Sequence, residues 1–422
     1  MSDAAPQRFW LGQLNSQERS TLVATFAGWM LDGMDVMVYS FVLPTLIVLW
    51  HISKGQAGLL GTSALLMSSV GGWLAGLAAD RYGRVRVLQL TIVWFAFFTF
   101  LSGFTSSFEQ LFIVRGLQGL GFGGEWAVGS VLIGETIRPE YRGRAVGTTQ
   151  GGWAIGWGIA AVCYTLFLNY LPAAFAWRAM FWIGLLPALL AVWVRSHVSE
   201  SKLFTDAKAT QGKVPGAHFL QIFSPAMLRT TLLASLVALG GQGGYYAITT
   251  FLPLYLNMRG LSVTHTGGYL MVVIAGSLVG YLTSAHLTDI LGRRWTLVIF
   301  ALLSLTTVAL YTVLPISNHV MLILGFPLGF FPSGSFSPMG AFFTELFPTS
   351  LRGSGQGFVY NLGRGVGAMF PAFVGYFSAH MAFGRAIATF SASAYLLMVL
   401  SILLLPETRG RQLEEVDSSL NL

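Results

Sequence analysis

Twelve apolar blocks of about 20 residues, beginning near Thr21, Gln56, Val87, Leu111, Ala145, Trp177, Thr230, Thr266, Trp295, His319, Ser354 and Arg385, most constrain what this 422-residue chain can become. A helix rising about 1.5 Å per residue needs roughly that length to cross a hydrocarbon core about 30 Å thick. In an apolar solvent every backbone group must bond within its own segment or a closed barrel, and barrel strands would alternate in hydrophobicity. These blocks do not alternate, so the expectation is an all-α polytopic membrane protein with twelve transmembrane helices. The composition agrees: 54% of residues are hydrophobic and 10% charged, against about 25% charged in an average soluble domain.

The first block carries Asp32 and Asp35 and lacks a short apolar core followed by a small-residue cleavage site, which marks it as a retained span. The single Cys163 can form no intrachain disulfide. The net charge of +7 would suit nucleic acid, but the basic residues sit in short connections. With both termini cytoplasmic, 18 of the 24 Lys and Arg fall on the cytoplasmic side, four on the opposite side, and two, Arg115 and Arg364, within blocks. The positive-inside pattern accounts for the charge and leaves no support for a nucleic-acid partner.

The chain also repeats itself. Gly76-Leu-Ala-Ala-Asp80-Arg-Tyr-Gly83-Arg84 follows the second block and Ala285-His-Leu-Thr-Asp289-Ile-Leu-Gly292-Arg293-Arg294 the eighth, a shift of 209. Glu135-Thr-Ile-Arg-Pro139-Glu-Tyr-Arg142-Gly143 follows the fourth and Glu345-Leu-Phe-Pro348-Thr-Ser-Leu-Arg352-Gly353 the tenth, a shift of 210. Glu200-Ser201 and Pro406-Glu407-Thr408 close the two halves at a shift of 207. Two independent motifs at one shift imply two pseudo-symmetric six-helix bundles. The expected organisation is a cytoplasmic segment 1–19, a first half 20–195, a linker 196–226, a second half 227–405 and a cytoplasmic tail 406–422.

The Gly-x3-Asp-Arg-x-Gly-Arg loop, the Glu-x2-Pro-x3-Arg-Gly loops and the terminal Pro406 to Gly410 motif resemble the signatures of the major facilitator superfamily, together covering nearly the whole chain. Parallel duplication relates the halves of such transporters, with the substrate site near the midplane between them. Asp32-Gly33-Met34-Asp35 and Gly123-Gly124-Glu125-Trp126 look like the proton symporter branches that carry organic acids such as sialate and aromatic acids. Aromatic-acid members usually have an aromatic residue at the place of Met34, and sugar porters paired glutamines where this chain has Gly240-Gly241-Gln242-Gly243. The substrate class therefore stays open, weighted toward carboxylates.

Ionisable side chains are costly at the centre of a bilayer, by roughly 2.5–3.5 kcal/mol on insertion scales, so they face a cavity or a partner. Asp32 and Asp35, spaced i, i+3, share one helix face and suit a proton site; the alternative is that one pairs with Arg115 or caps a broken turn at Gly33. Arg364, in Asn361-x2-Arg364, suits bidentate recognition of a carboxylate; the alternative is an interhelical salt bridge with Asp35 or Glu125. Arg115 and Glu125 lie ten residues apart on the fourth block, about 15 Å along a helix, and so need separate partners. The resemblance associates Arg115 with proton coupling; Glu125 suits coupling or a lock between helix ends.

Tyr39, Gln118, Gln150, Trp153, Gln242, Tyr245, Tyr246 and Asn361 are candidates to line the cavity with Arg364. The resemblance casts Asp80, Arg84, Asp289, Arg293, Glu135, Arg142, Glu345 and Arg352 as a cytoplasmic latch meeting across the halves. No nucleotide-binding motif, metal-ligand spacing or nucleophile-and-base set can be assembled, so neither a cofactor, a metal nor enzyme activity is expected. The expectation is a monomeric transporter of the plasma (inner) membrane, importing a small organic anion together with protons by alternating access. An uncoupled or sugar-type carrier is the alternative. A transporter-like sensor is another, and the linker, without an output domain, speaks against it.

Overall fold

The computed structural model describes residues 10–200, 219–347 and 352–409, so most of the expected linker and tail lies outside the described residues. Every regular element among those residues is helical. The first bundle runs α1 (Ser16–Trp50), α2 (Lys54–Tyr82), α3 (Arg84–Ser102), α4 (Phe108–Thr136), α5 (Pro139–Tyr170), α6 (Ala173–Trp182) and α7 (Leu186–His197). The second runs α8 (Pro225–Thr249), α9 (Leu252–Met258), α10 (Val263–Leu291), α11 (Arg293–Val313), α12 (Asn318–Gly334), α13 (Phe336–Leu346), α14 (Arg352–Gly367), α15 (Met369–Phe377) and α16 (Phe383–Leu403).

Among the described residues nine helical stretches are long and apolar enough to cross a membrane. The blocks expected near Leu111, Thr230 and Ser354 fold as α4, α8 and α14–α15 and are not among those nine. The reason is compositional. Helix α4 carries Glu109, Arg115, Glu125 and Glu135, α8 a run of four glycines around Gln242, and α14 is only 16 residues long and includes Arg364. Arg115, Glu125, Gln242 and Arg364 face the protein interior, so these helices lose apolar content without exposing those groups to lipid.

Local signals set the helix starts. Asn15 and Glu18 form a reciprocal capping box at α1, each bond 2.9 Å long, and Glu18 also takes Arg138 Nε at 2.8 Å, tying this end of α1 to the loop between α4 and α5. Helix α1 then packs along α5, where a Cβ at Gly156 would stand 1.7 Å from the Met30 carbonyl oxygen. That close approach brings Trp153 of α5 beside the aspartates of α1. The bundles meet where α2 packs on α14 and α15 and α5 packs on α10. Thr62 Oγ1 donates to Ala368 O across this interface at 2.6 Å.

The repeat recurs in atomic detail. Gly83 has φ 104° and ψ 151°, Gly292 φ 93° and ψ 162°, a left-handed conformation that favours glycine. Arg84 Nη1 donates to Ala79 O and Arg293 Nη1 to Thr288 O, each at 3.0 Å. Glu200 accepts from the backbone N–H groups of Arg84 and Val85 at 3.0 and 3.2 Å, and Glu407 from those of Arg293 and Arg294 at 2.9 and 3.1 Å. A carboxylate at a helix N-terminus meets unsatisfied N–H groups and the positive end of the dipole.

These contacts bear on the residues expected to form the latch. Arg293 pairs with Glu345 at 3.1 Å, and Thr408 Oγ1 donates to the same carboxylate at 2.5 Å, so the bonds described for Arg84, Arg293 and Glu345 stay within their own bundles. Each arginine curls back over the end of the preceding helix, and the carboxylate that closes the half holds its backbone. The side chains of Asp80, Glu135, Arg142, Asp289 and Arg352 lie outside the described ones.

Candidate functional site

Helices α1 and α4 carry a ladder of buried ionisable groups. Although Asp32 and Asp35 stand one turn apart, the fold gives them different partners. Asp35 Oδ2 accepts from Gln118 Nε2, which also donates to Thr99 Oγ1 of α3 at 2.8 Å. Arg115, one turn from Gln118, faces Asp35 electrostatically and stacks its guanidinium 4.3 Å from the centroid of the Tyr39 ring. The Tyr39 hydroxyl donates to Ala57 O of α2. This group lies toward the end of α1 at Trp50 and the start of α4 at Phe108.

Asp32, fully buried at 0% exposure, instead faces Glu125 of α4 and Arg364 of α14. The Glu125 carboxyl fills the space over Gly28, where a Cβ would stand 1.9 Å from Oε1. The carboxyls of Asp32 and Glu125 lie within hydrogen-bond reach of each other, and no other group bonds to their four oxygens. Two facing carboxyls in a dry setting cannot both carry a charge cheaply, and one proton between them relieves the repulsion. The arrangement can therefore hold a proton next to a guanidinium.

Arg364, 1% exposed, stands 4.9 Å from the centroid of the Phe122 ring and 5.1 Å from that of Tyr360, while its Nε and Nη1 have no hydrogen-bond partner. It borders a narrow cavity between the bundles. Gln150 and Trp153 of α5 and Tyr245 and Tyr246 of α8 line the same space. Trp153 Nε1 donates to the Tyr245 hydroxyl at 3.0 Å, joining the two bundles across the cavity. The chamber thus offers one guanidinium, one amide and aromatic faces.

The fold takes four other candidates elsewhere. Tyr39 and Gln118 belong to the Asp35 group. Gln242 donates to Tyr360 O at 2.9 Å and holds α8 against α14. Asn361 Nδ2 donates to Gly357 O of its own helix at 3.0 Å, with its carbonyl oxygen against Gly72 of α2. Sequence reasoning missed Trp29, Tyr281, Phe336 and Tyr360, which complete the aromatic wall. Two of them carried a signal: Trp29 precedes Asp32 by three residues and Tyr360 precedes Arg364 by four, the spacings that share a helix face. Tyr281 and Phe336 have no charged residue within four positions to flag them.

Residues 25–284 and 262–419 match the sequence pattern of the Major Facilitator Superfamily. A probable 4-methylmuconolactone transporter of Cupriavidus pinatubonensis is 42% identical over 96% of this chain and 95% of its own. A cis,cis-muconate transport protein of Acinetobacter baylyi is 28% identical over 90% of this chain and 93% of its own. Among solved structures, the inward-open xylose transporter XylE of E. coli superposes with a TM-score of 0.76 over 94% of this chain and 98% of that one, at 20% identity, a likeness of fold. An integral, multi-pass membrane architecture and a small-molecule cargo, with no enzymatic chemistry, follow from these matches: the chain belongs to the major facilitator superfamily of transporters.

Proposed function

We propose that this protein is a proton symporter that imports a small organic anion, a flat unsaturated monocarboxylate, across the plasma (inner) membrane, working as a monomer with both termini cytoplasmic. The observation that carries the reading is Arg364, a buried guanidinium with two unpartnered nitrogens at the edge of a narrow aromatic cavity between the bundles. A carboxylate satisfies such a fork with parallel charge-assisted bonds. The rings of Trp29, Trp153, Tyr245 and Tyr360 provide faces for a planar skeleton, and Gln150 a polar contact. The relatives named for muconolactone and muconate support an unsaturated acid; a single guanidinium favours one carboxylate over two.

Coupling rests on Asp32, which faces both Arg364 and Glu125. Substrate drawing Arg364 away from Asp32 leaves that carboxyl more readily protonated, so substrate and proton load together and the charge-compensated carrier reorients. Asp35 and Arg115, with Gln118, form the second polar group of the same helices and belong to the coupling machinery on this reading. Alternating access follows from rocking of the two bundles about the central cavity.

The test is uptake by purified protein in liposomes, using 4-methylmuconolactone, cis,cis-muconate, benzoate and xylose with and without an inward proton gradient. Gradient-driven accumulation of the monoacid, with weak muconate and no xylose uptake, is expected. Uptake indifferent to the gradient would remove the symport reading, and preference for xylose the anion reading.

A further inference from the structure

A second, small cavity lies on the other side of Trp29 from the central one. Its walls are mostly apolar, with Leu88, Trp126, Ile133 and Val146 around four polar residues, Thr25 of α1, Glu125 and Ser130 of α4 and Thr149 of α5. Thr25 precedes Trp29 by one turn, Ser130 follows Glu125, and Thr149 lies in the early turns of α5, so the space points toward the ends of α1 and α4 where Glu18 meets Arg138. Trp29 borders both cavities and packs 4.3 Å from Trp126 and 5.1 Å from Trp153 between ring centroids, an aromatic partition.

Polar atoms meet at this second space. Thr149 Oγ1 and Trp29 Nε1 are buried without a hydrogen-bond partner, and the Glu125 carboxyl has only the Asp32 carboxyl. Buried groups of this kind bond to water where a polar space can hold it. The charged groups facing the pair of Asp32 and Glu125 are Arg364 from α14 and Asp35 from α1, both on the Asp32 side. Glu125 thus faces Asp32 on one side and, on the other, a small cavity in which Thr149 Oγ1 and Trp29 Nε1 are the free polar atoms.

We propose that this second cavity is a hydrated proton port, that Glu125 accepts the symported proton from Asp32 and passes it to water there, and that Trp29 keeps the port separate from the substrate chamber. The proton and the anion then leave by different routes. The inference deepens the symport reading and rests on it.

The experiment compares three measurements in proteoliposomes: proton-driven accumulation, substrate counterflow at equal pH, and substrate-free proton leak followed by an internal pH dye. In Glu125→Gln, accumulation is expected to fall at least tenfold while counterflow stays within about threefold of wild type, with Glu125→Asp restoring part of the accumulation. Trp29→Ala is expected to raise the substrate-free leak severalfold, and Trp29→Phe less. Accumulation intact in Glu125→Gln, or counterflow lost together with it and not restored in Glu125→Asp, overturns the port. Unchanged leak in both Trp29 variants overturns the partition. If wild type itself shows no gradient-driven accumulation, the symport reading has failed instead.

Discussion

The two bundles repeat each other at their loops and differ at their centre. Gly83 and Gly292, Arg84 and Arg293, and Glu200 and Glu407 hold the same positions and make the same backbone bonds. In the midst of the helices the match ends: shifted by 209 or 210 positions, Asp32 falls on Gly241 or Gln242, Glu125 on Gly334 or Ser335, and Arg364 on Ala154 or Ile155. The first bundle holds the acids and the second the cation that lines the chamber. A duplicated scaffold keeps what shapes a helix end, because φ and capping leave few choices, and is free to change what faces a cavity. On the proposed reading one half handles the proton while the other grips the anion, and Asp32 facing Arg364 is where they communicate.

The sharpest break of that division is Arg364→Ala. Removing the one guanidinium should weaken monocarboxylate binding about 100-fold or more, roughly 3 kcal/mol, with Arg364→Lys recovering only part because an ammonium lacks the planar fork. Isothermal titration in detergent measures it, and affinity within threefold of wild type would move anion binding elsewhere. Asp32→Asn comes next. It should drop the accumulation ratio to about one while counterflow persists, and undiminished accumulation would shift the proton to Asp35.

Structural counterparts test the scaffold. A Cβ at Gly156 would stand 1.7 Å from the Met30 backbone oxygen, whereas at Gly365, its counterpart, it would meet the Ser69 side chain at 2.6 Å. Gly156→Ala should therefore cost about 2–3 kcal/mol, more than Gly365→Ala, whose neighbour can rotate. Thermal unfolding in detergent ranks them, and equal losses would argue against the tight crossing of α1 and α5. The smallest effects belong to Glu200→Gln and Glu407→Gln, which remove the charge from equivalent helix-end bonds and should each lower stability by about 1 kcal/mol. Unequal losses would show that the two loops are less alike than their backbones.

Much of the site was visible as chemistry before it was visible as geometry. Asp32, Glu125 and Arg364 announce themselves because a charge in an apolar block needs a reason. Their partners do not: i, i+3 spacing joins Asp32 to Asp35, yet the fold turns Asp35 to Gln118 and Thr99 and Asp32 to Glu125 and Arg364. Asn361 shares a face pattern with Arg364 but packs on Gly72. Polar side chains inside a helix bundle choose among neighbours from three or four helices, and helical spacing describes only one of them.

By itself the sequence determined the helical class, the two related bundles, the glycine loops and the charges that must be hidden from lipid, since length, hydropathy and backbone conformation act locally. Only the tertiary structure decided which charges face one another, that aromatic residues from six helices close the chamber around Arg364, and that Trp29 divides it from a second space beside Glu125. Those outcomes depend on helix crossing and rotation, set by packing between segments far apart in the chain.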